Sequence, residues 1–364
     1  MSHSVVKTSL HAAPTRRLSA ILLALALFGA AASAAAAAAL PEGKTIRLLV
    51  GSPTGGGTDH AARLVAHFLG RALPGSPTII VQNMPGAGGI LALNHLFARG
   101  ERDGSILLAG SSSALTPDLL RHNPAVAYDP ARLAFIGGFA AGSTVLVVDR
   151  AAFARMEQGG APLVVAQVGA ARTGAQMALW GAAALGWRIR WISGYAGSAD
   201  LANALLRGEA DMTDTAGLSN LLPLLSDRRF MALAQTGVVV KGRLKRRDAF
   251  PDIPLFSELL AGRLDKRAES AFAHWLGTTT IGKFLALPPD VPAATVALYR
   301  AAFQTMIADP HFQDLAASEI GGDYAVMSPE DLGRILAELA AMPESELAIL
   351  RGLRQRYGVP LGAQ

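Results

Sequence analysis

The chain has 364 residues, of which 51% are hydrophobic and 17% charged, so it can bury a core and form two lobes or domains. Its formal charge of +5 depends on Lys7, Arg16 and Arg17, without which 30 basic residues face 28 acidic ones, a balance of +2 that gives no electrostatic support for nucleic-acid binding. The absence of cysteine excludes disulfides, thiolate metal ligands, a cysteine nucleophile and a lipid-bearing cysteine.

Residues 1–39 have the pattern of a secretory signal peptide. A basic segment, Met1 to Arg17, precedes the apolar stretch LSAILLALALFGA (18–30) and an alanine-rich stretch with several small-residue cleavage sites. The strongly apolar part has about 13 residues, fewer than the roughly 20 that a membrane-spanning helix requires. The pattern predicts export, with cleavage between Ala34 and Leu40.

Strand-like and helix-like segments alternate from Pro41 onward. The apolar run IRLLV (46–50) precedes a glycine-rich turn and a segment, 58–73, whose apolar residues have helical spacing. Further strands are predicted at 78–83, 105–112, 145–149, 163–168, 189–194, 210–215 and 231–236. Strand, helix and strand at this spacing predict helical crossovers and a parallel sheet.

The turns after these strands form the candidate site, because ligands of open parallel sheets bind beyond the carboxyl ends of the strands. They are built from Gly, Ser, Thr and Ala, and they contain no Ser-His-Asp set, no paired carboxylates and no lysine placed to bind a phosphate. Small residues let backbone N–H groups approach a ligand, and helix amino termini add positive partial charge. A carboxylate suits such a site. The turns span residues 52–59, 84–89, 110–114, 169–174, 194–198 and 214–218.

The first of these turns, GSPTGGGTD (51–59), differs from the nucleotide-binding motifs it most nearly matches. Gly57 stands where a phosphate-binding loop requires lysine. The dinucleotide fingerprint requires a third glycine, where the first turn has His60 and the second, GAGG (86–89), has Leu91. Both differences argue against nucleotide binding.

Two longer stretches carry a resemblance to a known family. GSPTGGGTDHAARLVAHFL and the later VQNMPGAGGILALNHLFARGERDGSILLAGSSS resemble the signature of the Bug/TctC family, the extracytoplasmic solute receptors of tripartite tricarboxylate transporters. The agreement continues in order through YDPARLAFIGG, GYAGSADLANALLRGEADM and FPDIPLFSE to LALPPDVPAATVALYRAAF. It covers nearly the whole chain after the signal peptide.

The resemblance implies an α/β protein with a type II periplasmic-binding-protein fold. In this fold two Rossmann-like lobes, joined by two crossing segments, close on a ligand in the cleft between them. Residues 40–142 and 281–364 correspond to the first lobe, which carries the two glycine loops, and residues 143–280 to the second lobe, which sets specificity. Residues 264–280 fit the family poorly.

The resemblance also implies a set of ligand-binding residues. In the family, backbone amides and ordered waters of the two signature loops hold one ligand carboxylate. In the first lobe the matching positions, with the turn after the third strand, are Pro53, Thr54, Gly55, Gly56, Thr58, Asp59, Gly86, Ala87, Gly88, Ser111 and Ser112. In the second lobe they are Thr173, Gly174, Tyr195, Ser198, Asp214 and Thr215.

Arg172 is a departure from the family, because it introduces a guanidinium group beside a predicted helix start. It is either a solvated surface residue or the bidentate partner of a second carboxylate. Asp59 likewise has two interpretations, as the cap of its helix or as a residue that orients a ligand-bound water. Tyr195 lines either the ligand or the lobe interface, and the glycines either contact the ligand or only form turns.

Three further groups of residues have structural interpretations that we favour over functional ones. His60 and His67 lie seven apart on one predicted helix and are expected to be solvated rather than metal-bound. The basic run 241–247 is expected to be a solvated loop, with a membrane-partner contact as the second possibility. The four tryptophans, Trp180, Trp187, Trp191 and Trp275, are expected in the core.

The expected protein is a periplasmic, monomeric solute receptor without catalytic activity, cofactor or metal. Its expected partners are a small organic carboxylate and the integral membrane components of a transporter. A dicarboxylate is the first expectation for the ligand, followed by an aromatic carboxylate and an amino acid. Two different functions stay open beside this one: a periplasmic sensor for a two-component system, and an exported α/β enzyme acting on a carboxylated metabolite.

Overall fold

The structure, a computed structural model, describes residues 45–140, 142–169, 172–195, 197–240, 243–319 and 324–359. The predicted signal peptide lies outside these residues. The strands are β1 (Ile46–Val50), β2 (Ile79–Asn83), β3 (Ile106–Ser111), β4 (Ala134–Ala140), β5 (Val145–Asp149), β6 (Leu163–Gln167), β7 (Ile189–Ser193), β8 (Met212–Thr215), β9 (Phe230–Gln235), β10 (Val238–Val240), β11 (Arg243–Lys245), β12 (Ile281–Leu287) and β13 (Val326–Met327). The helices are α1 (Gly57–Ala72), α2 (Ile90–Arg99), α3 (Pro117–His122), α4 (Arg150–Glu157), α5 (Thr173–Ala184), α6 (Ser198–Leu206), α7 (Leu218–Ser226), α8 (Phe256–Leu260), α9 (Lys266–Thr278), α10 (Ala293–Ala308), α11 (Pro310–Glu319), α12 (Pro329–Ala340) and α13 (Glu344–Arg356).

The first sheet has six strands in the order β13-β4-β12-β3-β1-β2. Strand β1 pairs in parallel with β2 and β3, and both β1 and β3 are almost wholly apolar because helices cover both faces of the sheet. Strand β12 lies between β3 and β4 and is antiparallel to both. The predicted parallel pairing is therefore correct for β1 to β3, and the three strands that the sequence analysis did not predict, β12, β4 and β13, pair with antiparallel neighbours.

Two hydrophobic clusters bury the faces of the first sheet. On one face α1 and α10 pack through side chains such as Leu69 and Phe303. On the other face α2 and α12 pack through side chains such as Leu93 and Leu336. The carboxyl ends of β1 and β3 stay uncovered by these helices, and the first glycine loop begins where β1 ends.

The second sheet has five strands in the order β7-β6-β8-β5-β9. Strands β6, β7 and β8 are parallel, whereas β5 is antiparallel to β8 and β9. Helices α5, α8 and α9 pack on one face and α6 and α7 on the other. Each sheet with its helices therefore forms one α/β lobe, and all described residues belong to one compact unit, Leu40–Gln364.

The basic run 241–247 is not wholly the solvated loop that its sequence predicts. Strand β11 forms a hairpin with β10, and Arg247 is only 1% exposed. Its Nη1 donates a hydrogen bond of 2.9 Å to the carbonyl oxygen of Ala216, and its backbone N–H donates one of 2.8 Å to Gln235 Oε1. Arg247 therefore anchors the hairpin to the second lobe.

The chain crosses between the lobes twice in the middle of the sequence. It leaves the first sheet after β4, enters the second at β5, and returns after α9 to form β12. Helix α13 then packs on the second lobe, because Leu347 and Leu350 share a hydrophobic cluster with Trp180. The assignment of all residues 281–364 to the first lobe stays a prediction, and α13 is the segment whose packing departs from it.

Helix α13 is also tied to the first lobe by a buried ion pair. Asp118, in α3, is 4% exposed, and Arg354, in α13, is 6% exposed. Arg354 Nη2 donates to Asp118 Oδ2, and Arg351 Nη1 donates to Asp118 Oδ1 at 3.2 Å. Helix α13 therefore contacts both lobes.

The tryptophans lie in the second lobe as predicted for core residues. Trp180, Trp187 and Trp275 are buried, and Trp191 is partly buried with its Nε1 donating to the carbonyl oxygen of Tyr357 at 2.8 Å.

In the described parts of the chain, no helix has both the length and the hydropathy that a membrane span requires.

Candidate functional site

The first glycine loop is organised by the buried carboxylate of Asp59, which is 1% exposed. Asp59 Oδ2 accepts hydrogen bonds of 2.9 Å from the N–H of Gly55 and from Arg63 Nε. Burial raises the pKa of Asp59, but hydrogen bonds from Arg63, Gly55 and Asn83 together hold it below its ordinary value of 3.8. The capping interpretation of Asp59 is wrong, since α1 has Gly56 as its N-cap and no side-chain cap.

Asn83 joins the two glycine loops and was missed at the sequence level. Its Nδ2 donates to Asp59 Oδ1 at 2.8 Å and to the carbonyl oxygen of Ser52 at 2.9 Å, while its Oδ1 accepts from Thr54 Oγ1 at 3.2 Å. Because Asn83 ends β2 directly before the second loop, it fixes one loop against the other. The sequence signal that could have identified Asn83 was its position at the start of NMPGAGG (83–89), within the second stretch that resembles the family.

The second loop has an unusual backbone. Four consecutive residues have positive φ: Gly86 (145°), Ala87 (47°), Gly88 (66°) and Gly89 (102°). Glycine adopts such angles without steric cost, whereas alanine does so at some cost. Turns of this kind arrange successive backbone N–H groups around an anion.

The loop after β3 completes the first-lobe half of the site. Ser111 Oγ and Ser113 Oγ are 2.7 Å apart, and Ser113 Oγ donates to the carbonyl oxygen of Gly88 at 3.3 Å. Ser112 begins the short 3-10 turn that follows. A cavity of about 10 Å³ lies between this loop and both glycine loops, lined among others by Thr58 and Ser111, and this is the volume that one water molecule requires.

In the second lobe, Arg172 lies between two helix starts. Its Nη2 donates to Ser198 Oγ at 2.7 Å, and its Nε lies 3.5 Å from Asp214 Oδ2. A side chain with these partners, 29% exposed, does not fit the interpretation as a solvated surface residue. Gly174 allows this arrangement, because a Cβ at that position would lie 2.1 Å from Asp214 Cβ.

Two buried oxygens lie at the carboxyl edge of the second sheet. Thr215 Oγ1, at the end of β8, and Gln167 Oε1, at the end of β6, have no hydrogen-bond partner among the described residues. Buried polar atoms normally have a partner, either in the protein or in bound water or ligand. Both oxygens are therefore suited to a polar guest at this edge.

Tyr195 is placed away from the other predicted residues. Its hydroxyl donates to Glu209 Oε2 at 3.4 Å, and its ring packs beside the cluster that contains Leu201 and Ala204. Burial, and then the neighbouring Glu209 carboxylate, raise the pKa of Tyr195. The contacts of its side chain are therefore within the second lobe.

Three helix amino termini converge between the lobes. Gly56, Arg172 and Gly197 are the N-cap residues of α1, α5 and α6, and no side chain caps any of these helices. A Cβ built on Gly197 would lie 3.7 Å from Gly56 Cα, and Ser198, the first residue of α6, accepts the hydrogen bond from Arg172. The first-turn N–H groups and their positive partial charge therefore lie around the same part of the cleft.

Lys283 is a second residue missed at the sequence level. It lies in β12, where its backbone pairs with Ser111 on one side and Phe139 on the other, so it is at the carboxyl edge of β3. Its side chain is partly buried. Burial, and then the charge of Arg172, lower the pKa of Lys283 from its ordinary value to about 8. A lysine inside the otherwise apolar IGKFLAL strand was the available signal.

The structure thus brings together most of the predicted residues. Pro53 to Asp59, Gly86 to Gly88, Ser111 and Ser112 lie on adjoining loops of one lobe, and Arg172, Thr173, Gly174, Ser198, Asp214 and Thr215 lie at one edge of the other. The part of the chain that the structure describes contains no cluster of three metal-ligating His, Asp or Glu side chains. The assembled groups are amides, hydroxyls, the cations Arg172 and Lys283, and two carboxylates, Asp59 and Asp214, that are already paired with arginines, and this set is suited to binding an anion.

Sequence comparison finds one curated relative with significant similarity over part of the chain. Over 114 residues the chain is 37% identical to Protein BugT of Bordetella pertussis, a stretch that covers 31% of this chain and 33% of BugT. The match therefore spans about a third of the length of that relative. No family model matches the chain.

Solved structures share the fold over nearly their whole length. The periplasmic binding protein BugD superposes with a TM-score of 0.65 at 22% identity, covering 88% of this chain and 99% of BugD. MatC of Rhodopseudomonas palustris with bound malate gives a TM-score of 0.62 at 19% identity, covering 85% of this chain and 98% of MatC. These likenesses confirm the two-lobed periplasmic-binding-protein fold. The local sequence match and the shared fold are thus both to periplasmic binding proteins of the Bug type.

Proposed function

We propose that this protein is an exported periplasmic solute receptor that binds a small organic carboxylate between its lobes and delivers it to a tripartite tricarboxylate-type membrane transporter. The convergence of three uncapped helix amino termini, at Gly56, Arg172 and Gly197, is the observation that carries the proposal. Helix amino termini bind anions through their N–H groups and their dipoles. The guanidinium group of Arg172, whose Nε lies 3.5 Å from Asp214 Oδ2, adds a cationic hydrogen-bond donor to this site.

The proposed roles of the two lobes differ. In the first lobe, the loops at 53–59 and 86–89 hold one ligand carboxylate through backbone amides, and Asp59 and Asn83 keep those loops in place. In the second lobe, Arg172 and the polar groups near Thr215 contact the rest of the ligand. A ligand that touches both lobes favours the closed form, because only that form offers both sets of contacts.

The proposed movement is a hinge closure about the two crossing segments. These are the connections from β4 to β5 and from α9 to β12. Both are short, and each joins a strand or helix of one lobe to a strand of the other. We propose residues 40–142 and 281 onward as the first lobe and 143–280 as the second, with α13 packing across both.

We further propose binding without catalysis. An enzyme acting on a carboxylated metabolite needs a nucleophile with a base, or a metal, within reach of the ligand. Among the described residues of the site, Asp59 and Asp214 are already engaged by Arg63 and Arg172, which suits charge balance rather than proton transfer. BugD is a periplasmic binding protein and MatC was solved with malate, which supports a binding role for this chain.

The test is a thermal-shift screen of the mature protein against small organic acids, nucleotides and sugars. A ligand present at about 100 times its dissociation constant stabilises the folded state by about 2.7 kcal/mol. We expect carboxylates to raise the unfolding temperature, and a shift by nucleotides or sugars alone would contradict the proposal.

A pair of arginine variants places the binding at this cleft. Arg172→Ala should weaken carboxylate binding by at least about tenfold, because a charge-assisted hydrogen bond is lost. Arg71→Ala, which removes an exposed arginine from the last turn of α1, should leave the affinity unchanged. Equal affinities for both variants, measured by calorimetry, would place the site elsewhere.

A further inference from the structure

The charges at the cleft are not balanced within the described residues. Asp214 lies 3.5 Å from Arg172 and compensates its charge. The ammonium group of Lys283 has neither a hydrogen-bond partner nor an ion-pair partner in the described parts of the chain. One positive charge beside the loops of the first lobe is therefore left without a carboxylate partner among the described residues.

The position of Lys283 relates this charge to the proposed ligand site. In the pairing of β12 with β3, Lys283 lies opposite Ser111, the last residue of β3. Ser111 Oγ is hydrogen-bonded to Oγ of Ser113, in the loop that follows β3. Arg172, on the opposite lobe, is close enough for its charge to act on Lys283. Lys283 therefore lies beside the loops of the first lobe, and its pKa responds to the charge of a cation of the second.

Two like charges in a partly buried place repel each other and lose hydration. A protein that keeps such a lysine without a partner carries a cost in stability that a pairing anion would remove. A carboxylate bound near both Lys283 and Arg172 would relieve the repulsion and pair the lysine. In the proposed function the backbone N–H groups of the glycine loops hold the first carboxylate, so the anion at Lys283 is assigned to the second one.

We propose that Lys283 binds the second carboxylate of the ligand, so that the receptor selects dicarboxylates over monocarboxylates. The inference rests on the proposed function, since it assigns the second anionic group of a ligand whose first group is held by the loops. It makes Lys283 the charge partner of the second carboxylate, beside the contact that Arg172 makes with the ligand. Arg172, compensated by Asp214, then positions Ser198 and the helix start beside it.

The experiment compares each of two dicarboxylates with its own monomethyl ester, which has the same carbon chain between the two carboxyl groups and one negative charge fewer. Succinate and adipate are titrated by calorimetry against the mature protein, each beside its monomethyl ester. We expect the wild-type protein to bind the better of the two dicarboxylates at least about tenfold more tightly than its ester. The Lys283→Met variant, which keeps the length of the side chain, should lose this preference, while ester binding changes less than about threefold.

Two further variants separate a binding role from a structural one. Lys283→Arg should restore most of the preference, because it restores the charge. Lys245→Met removes an exposed lysine and should change neither affinity nor unfolding temperature. The ligand-free Lys283→Met protein should unfold at a higher temperature than the wild type, because an unpaired and partly buried charge has been removed.

The outcomes distinguish the two proposals. If no acid and no ester binds the wild-type protein, the proposed function fails and this inference fails with it. If acids and esters bind but Lys283→Met weakens both equally, or neither, the inference alone is overturned. If Lys283→Met lowers the unfolding temperature of the ligand-free protein and Lys283→Arg does not restore the preference, Lys283 is a structural residue and the inference is overturned.

Discussion

Gly197 of the second lobe lies directly against Gly56 of the first, since a Cβ built on Gly197 would be 3.7 Å from Gly56 Cα. Each residue immediately precedes a helix, so the contact brings the amino ends of α1 and α6 together across the cleft. A Cβ at position 197 would make an ordinary van der Waals contact, so a side chain larger than that of alanine is needed to oppose the approach. Closure of the cleft therefore depends on the size of the residue at position 197.

Replacing Gly197 with leucine should prevent closure without disturbing the second lobe. Gly197 has an extended backbone that leucine adopts without strain. Overpacking a tight contact costs about 1–3 kcal/mol, so the carboxylate affinity should fall by roughly tenfold or more. The measurement is calorimetry, with Gly352→Leu, on an open part of α13, as the control. Unchanged affinity for Gly197→Leu would show that closure does not bring these residues together.

Asp59 should contribute to both stability and binding. Asp59→Ala leaves the Gly55 N–H without its acceptor and removes one of the two acceptors of Asn83 Nδ2, and buried hydrogen bonds to a charged group contribute about 1.5–3 kcal/mol. We expect a loss of this size in the free energy of unfolding, measured by urea denaturation, together with weaker carboxylate binding. Arg63→Ala, which removes a half-exposed partner, should cost far less. Similar losses in the two variants would contradict this role.

Acid should destabilise the same loop. The pKa of Asp59 in the folded protein is lower than the ordinary 3.8, so its contribution to stability is present above pH 3.8 and is lost as the pH falls through the folded value. The difference in unfolding free energy between the wild type and Asp59→Asn should therefore shrink below about pH 4. A difference that stays constant down to pH 2 would argue against this effect.

The affinity for dicarboxylates should fall in alkaline solution. The pKa of Lys283 in the ligand-free protein is about 8, since burial and the charge of Arg172 both favour the neutral form. Below pH 7 the lysine is charged and the affinity for succinate should be constant, whereas above pH 8 it should fall by up to about tenfold per pH unit. Binding of the monomethyl ester, and binding by Lys283→Met, should lack this decline.

The lowered pKa of Lys283 also affects the stability of the ligand-free protein, which should rise with pH where the affinity falls. Because the pKa of Lys283 is lower in the folded state than the ordinary value of 10.5, the unfolded state binds more protons between the two values. The contribution of Lys283 to the free energy of unfolding should therefore increase as the pH rises from 8 towards 10.5. Comparing the wild type with Lys283→Met over this range isolates that contribution.

The ion pair between Asp118 and Arg354 should be among the most sensitive structural contacts. Asp118→Ala leaves a buried guanidinium group without its carboxylate, which costs about 3–5 kcal/mol of unfolding free energy. The double variant Asp118→Leu with Arg354→Met should recover much of this loss, since both charges are then absent. Glu338→Ala, which breaks an exposed pair with Arg334, is the control and should cost less than about 1 kcal/mol.

The hydroxyl of Tyr195 should not matter for binding. It donates a hydrogen bond of 3.4 Å to Oε2 of Glu209, a residue that follows α6 in the second lobe. Tyr195→Phe should therefore leave carboxylate affinity within about twofold of the wild type, because removing one weak exposed hydrogen bond has little effect. A larger loss, measured by calorimetry, would return Tyr195 to the ligand site where the sequence resemblance placed it.

Much of the fold follows from the apolar pattern of the sequence. All eight predicted strands are present, and most of them are short apolar runs bounded by turn residues. Strands β4 and β12 were missed because their sequences, AFIGGFA and IGKFLAL, are interrupted by glycine or lysine. Tertiary packing explains the interruption in β4, since a Cβ on Gly137 would lie 2.4 Å from the ring of Phe303.

The site was predictable only where it depends on local backbone chemistry. The glycine loops were found because positive φ and close approach restrict the residue type. Asn83 and Lys283 were missed because their positions depend on strand register: Lys283 lies beside Ser111 only because β12 inserts between β3 and β4. No residue spacing along the sequence indicates that Lys283 and Ser111 are neighbours. Tyr195 is the opposite case: its position in a family motif predicted a ligand contact, whereas its hydroxyl donates a hydrogen bond to Glu209.

The insertion of β12 between β3 and β4 also sets the order in which the protein folds. Strands β5 to β9 are contiguous in the sequence, so the second lobe can form its sheet from nearby segments. The centre of the first sheet has to wait for a strand that is encoded after that entire lobe. Since pairing of distant segments is slow, we expect the inserted lobe to fold first and the lobe that carries both glycine loops to fold last.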